Sequence, residues 1–220
     1  MPHTTPKPKK FKDIKAIIFD WSGVISDDRR PVHAADGIVL EKYGIKNYDF
    51  DRWLSDTKAS APEYFAYRGV KGDPMTFMRE YEEALHQARR DGIHPVLYPD
   101  AVATVQRLFL DGKKLFVVSK HPTSHLRAEA KEYTIADCFL EILGDLPDKT
   151  LAIKNILAAQ NLPAREVVYV GDMIYDIQAG RNAGVVTVAV PTGYQMRDVL
   201  ASEFPDILIA SLSELLDHVS

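Results

Sequence analysis

Short apolar runs of strand length recur along the chain, and segments with helical periodicity separate them. The runs are AIIF at 16–19, KLFVVS at 114–119, VVYV at 167–170, VVTVAV at 185–190 and ILIA at 207–210. Several are continuous rather than alternating in polarity, which is typical of parallel strands covered on both faces. The pattern therefore predicts an α/β fold whose core is a Rossmann-like parallel sheet wound by helices.

Three helices are predicted between and after these strands. One spans 100–111, with Asp100 suited to cap its start and Gly112 directly after its end. A second spans 150–160, and a third lies in the final segment SLSELLDHV. Their apolar residues recur at helical spacing, so each is expected to pack one face on the sheet.

The stretch from 28 to 96 breaks this rhythm, because it contains no strong strand. Helical patterns lie instead at about 32–43, 49–57, 60–67 and 74–91. The last is best marked, with Asp73 as N-cap, Pro74 in the first turn and Gly92 after the end. We predict an all-helical domain at 28–96, inserted into a core of 14–27 and 97–220, with a disordered polar extension at 1–13.

Composition narrows the class of protein. The chain has 220 residues, 46% of them hydrophobic and 26% charged, as in ordinary globular proteins. A net charge of −4 argues against nucleic acid and against an anionic membrane surface as partners. Cys138 is the single cysteine, which excludes internal disulfides, and no apolar run is long enough to span a membrane. We expect a cytoplasmic monomer or homodimer without a secretory signal.

Four motifs whose residues could bind a ligand or take part in a reaction lie at strand ends or helix starts, where ligands gather in a doubly wound sheet. Asp20 follows the first strand, and Ser119 closes the run LFVVS. Lys149 lies in LPDKT, and GDMIYD follows VVYV with Asp172 and Asp176. Each signal alone is also explained by a cap, a turn or a solvated side chain. Their common position at one edge of the sheet favours a shared site.

Simple electrostatics indicates what these groups could do together. Asp20 and Asp172 would repel each other unless a cation lay between them, and carboxylate and carbonyl oxygens suit Mg²⁺. Lys149 and the Ser119 hydroxyl could then hold phosphate oxygens. With its charge offset in this way, Asp20 can attack phosphorus as a covalent nucleophile. The predicted ligand is therefore a small phosphorylated metabolite.

These motifs resemble the haloacid dehalogenase superfamily, in the subgroup that has a helical cap after the first strand. The matching segments are IIFDWSGVISDD, LFVVSKHP, the lysine of LPDKT, and VVYVGDMIYDIQAGRNAGVVTVAVPTGY. The resemblance implies a nucleophilic Asp20, a phosphate ligand in Ser119 and a steadying Lys149. It also implies an Mg²⁺ site formed by Asp20, the Ser22 backbone carbonyl, Asp172 and a supporting Asp176. Retention of these acids favours phosphorus chemistry over dehalogenation.

Ser22 departs from the pattern. Phosphatases of the superfamily carry an aspartate two positions after the nucleophile, and it exchanges a proton with the leaving oxygen; a serine hydroxyl cannot. In one reading the protein is a phosphatase that is slow, or tuned to a substrate with a good leaving group. Asp27, Asp28 and His33 are the nearby substitutes for the missing acid, and we expect each to be a surface residue.

Two other readings stay open. DWSG resembles phosphonoacetaldehyde hydrolases, which cleave a carbon–phosphorus bond through an imine on a cap lysine. This resemblance implies a small phosphonate metabolite as the ligand, with Lys58 and Lys71 as the candidate lysines. Lys58 and Lys120 are accordingly predicted to contact substrate, although Lys120 stands where the family usually has an uncharged residue. In the third interpretation, the protein binds a phosphometabolite with weak or no catalysis. The presence of the complete set of Asp20, Ser119, Lys149 and Asp172 argues against this interpretation.

Overall fold

The computed structural model describes residues 10–56, 58 and 60–219. Within these ranges a six-stranded, all-parallel sheet forms the core, in the order β5-β4-β1-β6-β7-β8. Its strands are β1 (Ala16–Phe19), β4 (Lys114–Val118), β5 (Phe139–Leu143), β6 (Val167–Gly171), β7 (Val186–Ala189) and β8 (Ile207–Leu208). The predicted α/β class with a parallel sheet is confirmed.

Helices cover the sheet and form the inserted part. They are α1 (Arg29–Lys42), α2 (Phe50–Ser55), α3 (Ala61–Tyr67), α4 (Pro74–Arg90), α5 (Ala101–Leu110), α6 (Thr123–Glu132), α7 (Lys149–Gln160), α8 (Ile174–Ala183), α9 (Arg197–Ser202) and α10 (Leu215–His218). Short 3₁₀ turns lie at Ala136–Cys138, Ala164–Glu166 and Leu212–Glu214. None of these described helices combines the length and apolar character needed to cross a membrane.

Continuous apolar runs form the central strands because both faces of the sheet are buried. Ile17 and Phe19 point into one cluster, which includes Val117, while Ile18 points into the opposite cluster with Phe116. All five are fully buried. The alternation of side chains along a strand therefore builds a core on each face, and polar residues are left to the strand ends.

The four helices α1 to α4 occupy the stretch predicted as an inserted domain, and they have their own apolar core. Trp53, Phe65, Phe77 and Leu85 are among its buried residues. Helix α4 begins as the sequence indicates, since the Asp73 carboxylate accepts a hydrogen bond from the backbone N–H of Thr76. We call this helical part, residues 28–95, the cap.

A two-stranded antiparallel ribbon marks the point where the chain passes between cap and core. It consists of β2 (Ser26–Asp27) and β3 (Val96–Leu97), with Ser26 opposite Leu97 and Asp27 opposite Val96. The domain boundaries at 27/28 and 96/97 stay predictions, and this ribbon lies at those positions.

Some elements differ from the sequence prediction. Strand β5 was not predicted, because it is an edge strand whose Leu140 and Glu141 are exposed, and it lacks a continuous apolar run. Helix α6 was missed as well, since TSHLRAEAKE is mostly polar. The helix predicted over 49–57 ends at Ser55, and residue 57 lies outside the described residues.

The predicted disordered extension at 1–13 needs one correction. Residues 1–9 lie outside the described residues, but Phe11 forms a parallel bridge with Val219 and donates its N–H to the His218 carbonyl at 2.8 Å. Its side chain packs against the core cluster on one face of the sheet. An apolar residue among lysines thus anchors the end of this segment.

Candidate active site

The strand-end residues converge at the carboxyl edge of the sheet. Asp20 directly follows β1, Ser119 follows β4 and Asp172 follows β6, and these three strands are neighbours. Lys149 is the first residue of α7, and Asp176 lies in the first turn of α8. Parallel strands present all of their carboxyl ends at one edge, which is why residues distant in sequence meet there.

Asp20 is held by two hydrogen bonds, one to each carboxylate oxygen. Oδ1 accepts from the backbone N–H of Trp21 at 2.7 Å, and Oδ2 lies 2.8 Å from Lys149 Nζ. The side chain is in the cleft yet only 4% exposed, and burial raises its pKa while Lys149 opposes that shift. The structure therefore brings the predicted nucleophile and the predicted lysine into direct contact.

Lys149 bridges two carboxylates. Its Nζ lies 2.7 Å from Asp176 Oδ1 as well as 2.8 Å from Asp20 Oδ2. Burial opposes its charge, but Asp176 and Asp20 together raise the pKa of Lys149 above its ordinary range. The ammonium group therefore stays protonated at neutral pH and offsets part of the negative charge around it.

One carboxylate oxygen of Asp172 accepts a hydrogen bond, and the other has no partner among the described residues. Oδ2 accepts from the backbone N–H of Tyr194 at 2.6 Å, whereas the buried Oδ1 has no hydrogen-bond partner within the described part of the chain. Burial, followed by the charges of Asp176 and Asp20, raises the pKa of Asp172 well above its ordinary value. A buried carboxylate oxygen without a partner is costly, and a bound cation would satisfy it.

Two glycines allow the chain to approach Asp172 closely. A methyl group on Gly23 or on Gly193 would overlap Asp172 Oδ2, and Gly23 also has a positive φ of 76°. Both glycines stand in the quoted motifs, in WSG and in TGY, but their role in seating Asp172 was not predicted. The sequence offered one clue, a glycine in the loop after β1 and another in the loop after β7, since a close approach of the backbone requires glycine.

The site fits a hard divalent cation. One carboxylate oxygen from each of Asp20, Asp172 and Asp176 lies within 4.8 Å of the others, and an oxygen donor set of this kind suits Mg²⁺. Asp176 already accepts hydrogen bonds from Lys149, the Tyr169 hydroxyl and the backbone N–H of Met173. Its arrangement therefore suits a supporting role, and Asp172 Oδ1 is the better candidate for a direct ligand. The Ser22 carbonyl stays a predicted ligand.

Ser22 is bonded to a second carboxyl group that was predicted to lie at the surface. Its Oγ donates to Asp28 Oδ2 at 2.5 Å, and the Tyr194 hydroxyl donates to Asp28 Oδ1 at 2.9 Å. Asp28 is only 2% exposed, lines the cleft and lies 3.8 Å from His121 Nδ1. Burial raises the pKa of Asp28 to about 6. The expectation of a surface residue is wrong for Asp28, because α1 starts at the floor of the cleft.

The predicted substrate contacts fall around the same cleft. Ser119 is buried, and its Oγ accepts the backbone N–H of His121 at 3.3 Å. Lys120 reaches from the core to the cap, where its Nζ lies 3.5 Å from Glu63 Oε1. Ser119, Lys120 and Lys58 all line the cleft. Their contact with substrate stays a prediction.

The two candidate imine lysines differ in position. Lys58 lines the cleft, and its Nζ lies 4.0 Å from the centre of the Tyr67 ring. Lys71 is exposed and is not among the residues that line the cleft. An imine-forming lysine must present its amine to the substrate carbonyl. Lys71 does not line the cleft and Lys58 packs on an aromatic ring, so neither position adds support to carbon–phosphorus cleavage.

A buried acid in the cap completes the cleft. Asp36 is 3% exposed, and its Oδ2 accepts from Trp53 Nε1 at 2.8 Å, while Oδ1 has no hydrogen-bond partner among the described residues. Burial raises its pKa to about 8. Tyr64 and Tyr81 line the same wall. Sequence reasoning missed Asp36, since an acid within a helix is ordinarily solvated.

Comparison with known proteins agrees with this geometry. A family model described as haloacid dehalogenase-like hydrolase matches residues 17–190. The chain belongs to the haloacid dehalogenase-like hydrolase family. Members similar to it include the phosphoglycolate phosphatase of Vibrio vulnificus strain CMCP6, 30% identical over 94% of this chain and 97% of the relative. The phosphoglycolate phosphatase of Aliivibrio fischeri is 25% identical over 96% and 98%.

Solved structures of other hydrolases show the same fold. A haloacid dehalogenase-like hydrolase from Streptococcus pneumoniae superposes with a TM-score of 0.81 at 22% identity, covering 93% of this chain and 97% of the other. A hydrolase from Pseudomonas syringae reaches 0.76 at 16% identity, covering 93% and 97%. The family model and the curated relatives confirm the predicted superfamily and the phosphatase class of hydrolase. The solved structures confirm the fold.

Proposed function

We propose that the protein is an Mg²⁺-dependent phosphomonoesterase that forms an aspartyl-phosphate on Asp20. One observation carries the proposal: Asp20, Lys149 and Asp172 converge beneath a cleft that Ser119 also lines. When bound, Mg²⁺ would offset the carboxylate charges and orient a phosphoryl oxygen. Asp20, Asp172 and the Ser22 carbonyl would hold it.

The chain's own groups have distinct tasks in this proposal. The Asp20 carboxylate attacks phosphorus, and the bond between phosphorus and the leaving oxygen breaks. Lys149 keeps Asp20 oriented and stabilises the negative charge of the phosphoryl oxygens, and the Ser119 hydroxyl donates to one of them. Water then attacks the aspartyl-phosphate, which releases inorganic phosphate and restores the Asp20 carboxylate.

The leaving oxygen needs a proton from a group other than Ser22. Asp28 is the carboxyl group bonded to Ser22, and it lines the cleft. We assign it the position that the usual aspartate would fill. Phosphoglycolate, the substrate in the names of the curated relatives, is the first compound to test.

The test is release of inorganic phosphate from phosphoglycolate and other small phosphomonoesters, with Mg²⁺ and with a chelator. We expect Mg²⁺-dependent turnover of at least one ester that is lost in Asp20→Asn. Inertness across the panel at saturating Mg²⁺, or equal rates with the chelator, would overturn the proposal. The cytoplasmic location and the choice between monomer and homodimer stay predictions.

A further inference from the structure

A second group of metal-ligating side chains lies outside the catalytic cleft, where helix α4 of the cap meets helix α6 of the core. Glu82 and His86 are four residues apart on α4, so they share one face of that helix. His125 faces them from α6, and its ring centre lies 4.5 Å from that of His86. One ligand atom from each of the three lies within 4.8 Å of the others.

His125 is the residue that points to a ligand. It is only 3% exposed, and its Nε2 is buried with no hydrogen-bond partner among the described residues. Burial, reinforced by the neighbouring His121 and His86, lowers its pKa to about 3, so the ring is neutral at physiological pH. A neutral imidazole with an unused buried nitrogen is costly unless that nitrogen binds something.

The alternative grouping on the same helix is less suitable. His121, His125 and Glu129 also lie close together, but both oxygens of Glu129 are already used. Oε2 accepts from Trp21 Nε1 at 2.8 Å, and Oε1 accepts from the Arg89 guanidinium at 2.8 Å. The same pairing offsets part of the charge of Arg89, and the remaining charge also lowers the pKa of His125.

Glu82 keeps an oxygen for a ligand. Its Oε1 accepts from the Ser124 hydroxyl at 2.6 Å, a hydrogen bond that already joins cap and core, so Oε2 is the oxygen that would bind a metal. Two ligands of a tetrahedral Zn²⁺ ion are about 3.4 Å apart at ordinary bond lengths. Because His86 is exposed and Glu82 half-buried, small rotations of these two side chains can close the set around a metal.

We propose that Glu82, His86 and His125 form a second metal site, which takes a divalent transition ion such as Zn²⁺ and ties the cap to the core. Two imidazoles and one carboxylate favour Zn²⁺ and similar ions, whereas Mg²⁺ prefers an all-oxygen set. The site is therefore chemically separate from the carboxylate cluster around Asp20. A metal bound to both α4 and α6 holds these helices together.

The test is titration of the tag-free, full-length protein with Zn²⁺ alone, in saturating Mg²⁺, by calorimetry. We expect one Zn²⁺ site per chain that is weakened at least about 100-fold in His86→Ala, since even outer partners of a metal site are worth 10–100-fold. His94→Ala, which removes another exposed histidine, is the matched control and should bind normally. Asp172→Asn should also bind Zn²⁺ normally, because it alters only the carboxylate cluster.

A second readout tests the buried ligand His125. With Co²⁺ in place of Zn²⁺, the wild type should show the visible absorption of a low-coordinate ion, and both His86→Ala and His125→Ala should lose it. If His125→Ala fails to fold, Glu82→Gln replaces it. Unchanged Zn²⁺ affinity in His86→Ala would overturn the proposal. So would loss of the site in Asp172→Asn, because the ion would then occupy the carboxylate cluster.

Discussion

The Ser22 hydroxyl donates a hydrogen bond to the Asp28 carboxylate, 2.5 Å away. The two residues stand six positions apart, yet the turn after β1 brings Asp28 back into hydrogen-bond contact with Ser22. The Tyr194 hydroxyl fixes the other oxygen of Asp28 at 2.9 Å. The carboxyl group is thus held by a hydroxyl on each oxygen, within the cleft that contains Asp20.

Asp28→Asn should lower kcat, and the size of the fall should depend on how good the leaving group of the substrate is. We expect a fall of about 10²-fold or more for an alkyl phosphate, because its alkoxide needs a proton as it departs. A nitrophenyl phosphate should be much less affected, since its phenolate leaves without one. The ratio of kcat values for the two esters, in wild type and variant, is the measurement.

A rescue sharpens this experiment. Adding Ser22→Asp to Asp28→Asn places an acid where phosphatases of the family have one, and it should recover much of the lost activity on the alkyl ester. Asp27→Asn is the control, because Asp27 is paired with Arg29 at 2.6 Å and does not line the cleft. An equal loss on both esters would contradict a role for Asp28 in protonating the leaving group.

Asp28 also shows where sequence reasoning stopped. The strand-end residues Asp20, Ser119 and Asp172 could be predicted to meet, because all strands of a parallel sheet have their carboxyl ends at the same edge. Whether Asp28 faced solvent or the cleft depended on the turn after Gly23, whose geometry no periodic pattern encodes. Adjacency along the chain was the available signal, and it could not separate Asp28 from Asp27.

Helix α6 and strand β5 were missed for related reasons. The polar sequence of α6 hides the fact that its His125 face is covered by α4 of the cap, since that contact joins two helices distant in sequence. Strand β5 has only Phe139 well buried, so its place at the edge of the sheet is decided by pairing with β4. Both depend on tertiary contacts that local patterns do not contain.

Lys149→Met should impair both catalysis and folding. It leaves Asp20 and Asp176 buried without their shared cation, which costs about 3–5 kcal/mol of unfolding free energy when one partner of a buried pair is removed. We expect kcat to fall at least about 10²-fold, as for loss of a preorganised charge at the reacting group. Denaturant unfolding and phosphate release measure the two effects.

The control for this substitution lies on the same helix. Lys154 is exposed on α7, so Lys154→Met should leave kcat unchanged and shift the unfolding free energy by less than about 0.5 kcal/mol. A Lys149→Met enzyme with wild-type kcat would contradict the assignment of Lys149 to the phosphoryl site.

Gly193→Ala should weaken metal binding more than it weakens the fold. The added methyl group overlaps Asp172 Oδ2 and the backbone of Gly23, so the carboxylate must move away from its present position. We expect the Mg²⁺ concentration for half-maximal activity to rise at least about 10-fold. Gly37→Ala, on α1 with no atom closer than 3.4 Å to the new methyl group, is the control. Equal Mg²⁺ dependence in both variants would show that Asp172 is not constrained by this contact.

Asp36→Asn should change how stability depends on pH. Burial raises the pKa of Asp36 to about 8 in the folded state, against an ordinary value of 3.8 when the chain is unfolded. Between these values the unfolded chain releases the proton and the folded chain keeps it, so this group's contribution to the unfolding free energy is full below about pH 4 and falls as pH rises towards 8. Asparagine has no such proton, and it can still accept from Trp53 Nε1.

The measurement is the unfolding free energy of wild type and Asp36→Asn from pH 4 to 8. We expect the wild type to lose stability relative to the variant across this window, by on the order of 1 kcal/mol or more. Asp51→Asn, an exposed acid on α2, should give no such trend. A difference between wild type and Asp36→Asn that stays constant from pH 4 to 8 would mean that Asp36 ionises normally. The cap wall of the cleft would then carry a full negative charge at neutral pH, which would disfavour an anionic leaving group such as glycolate.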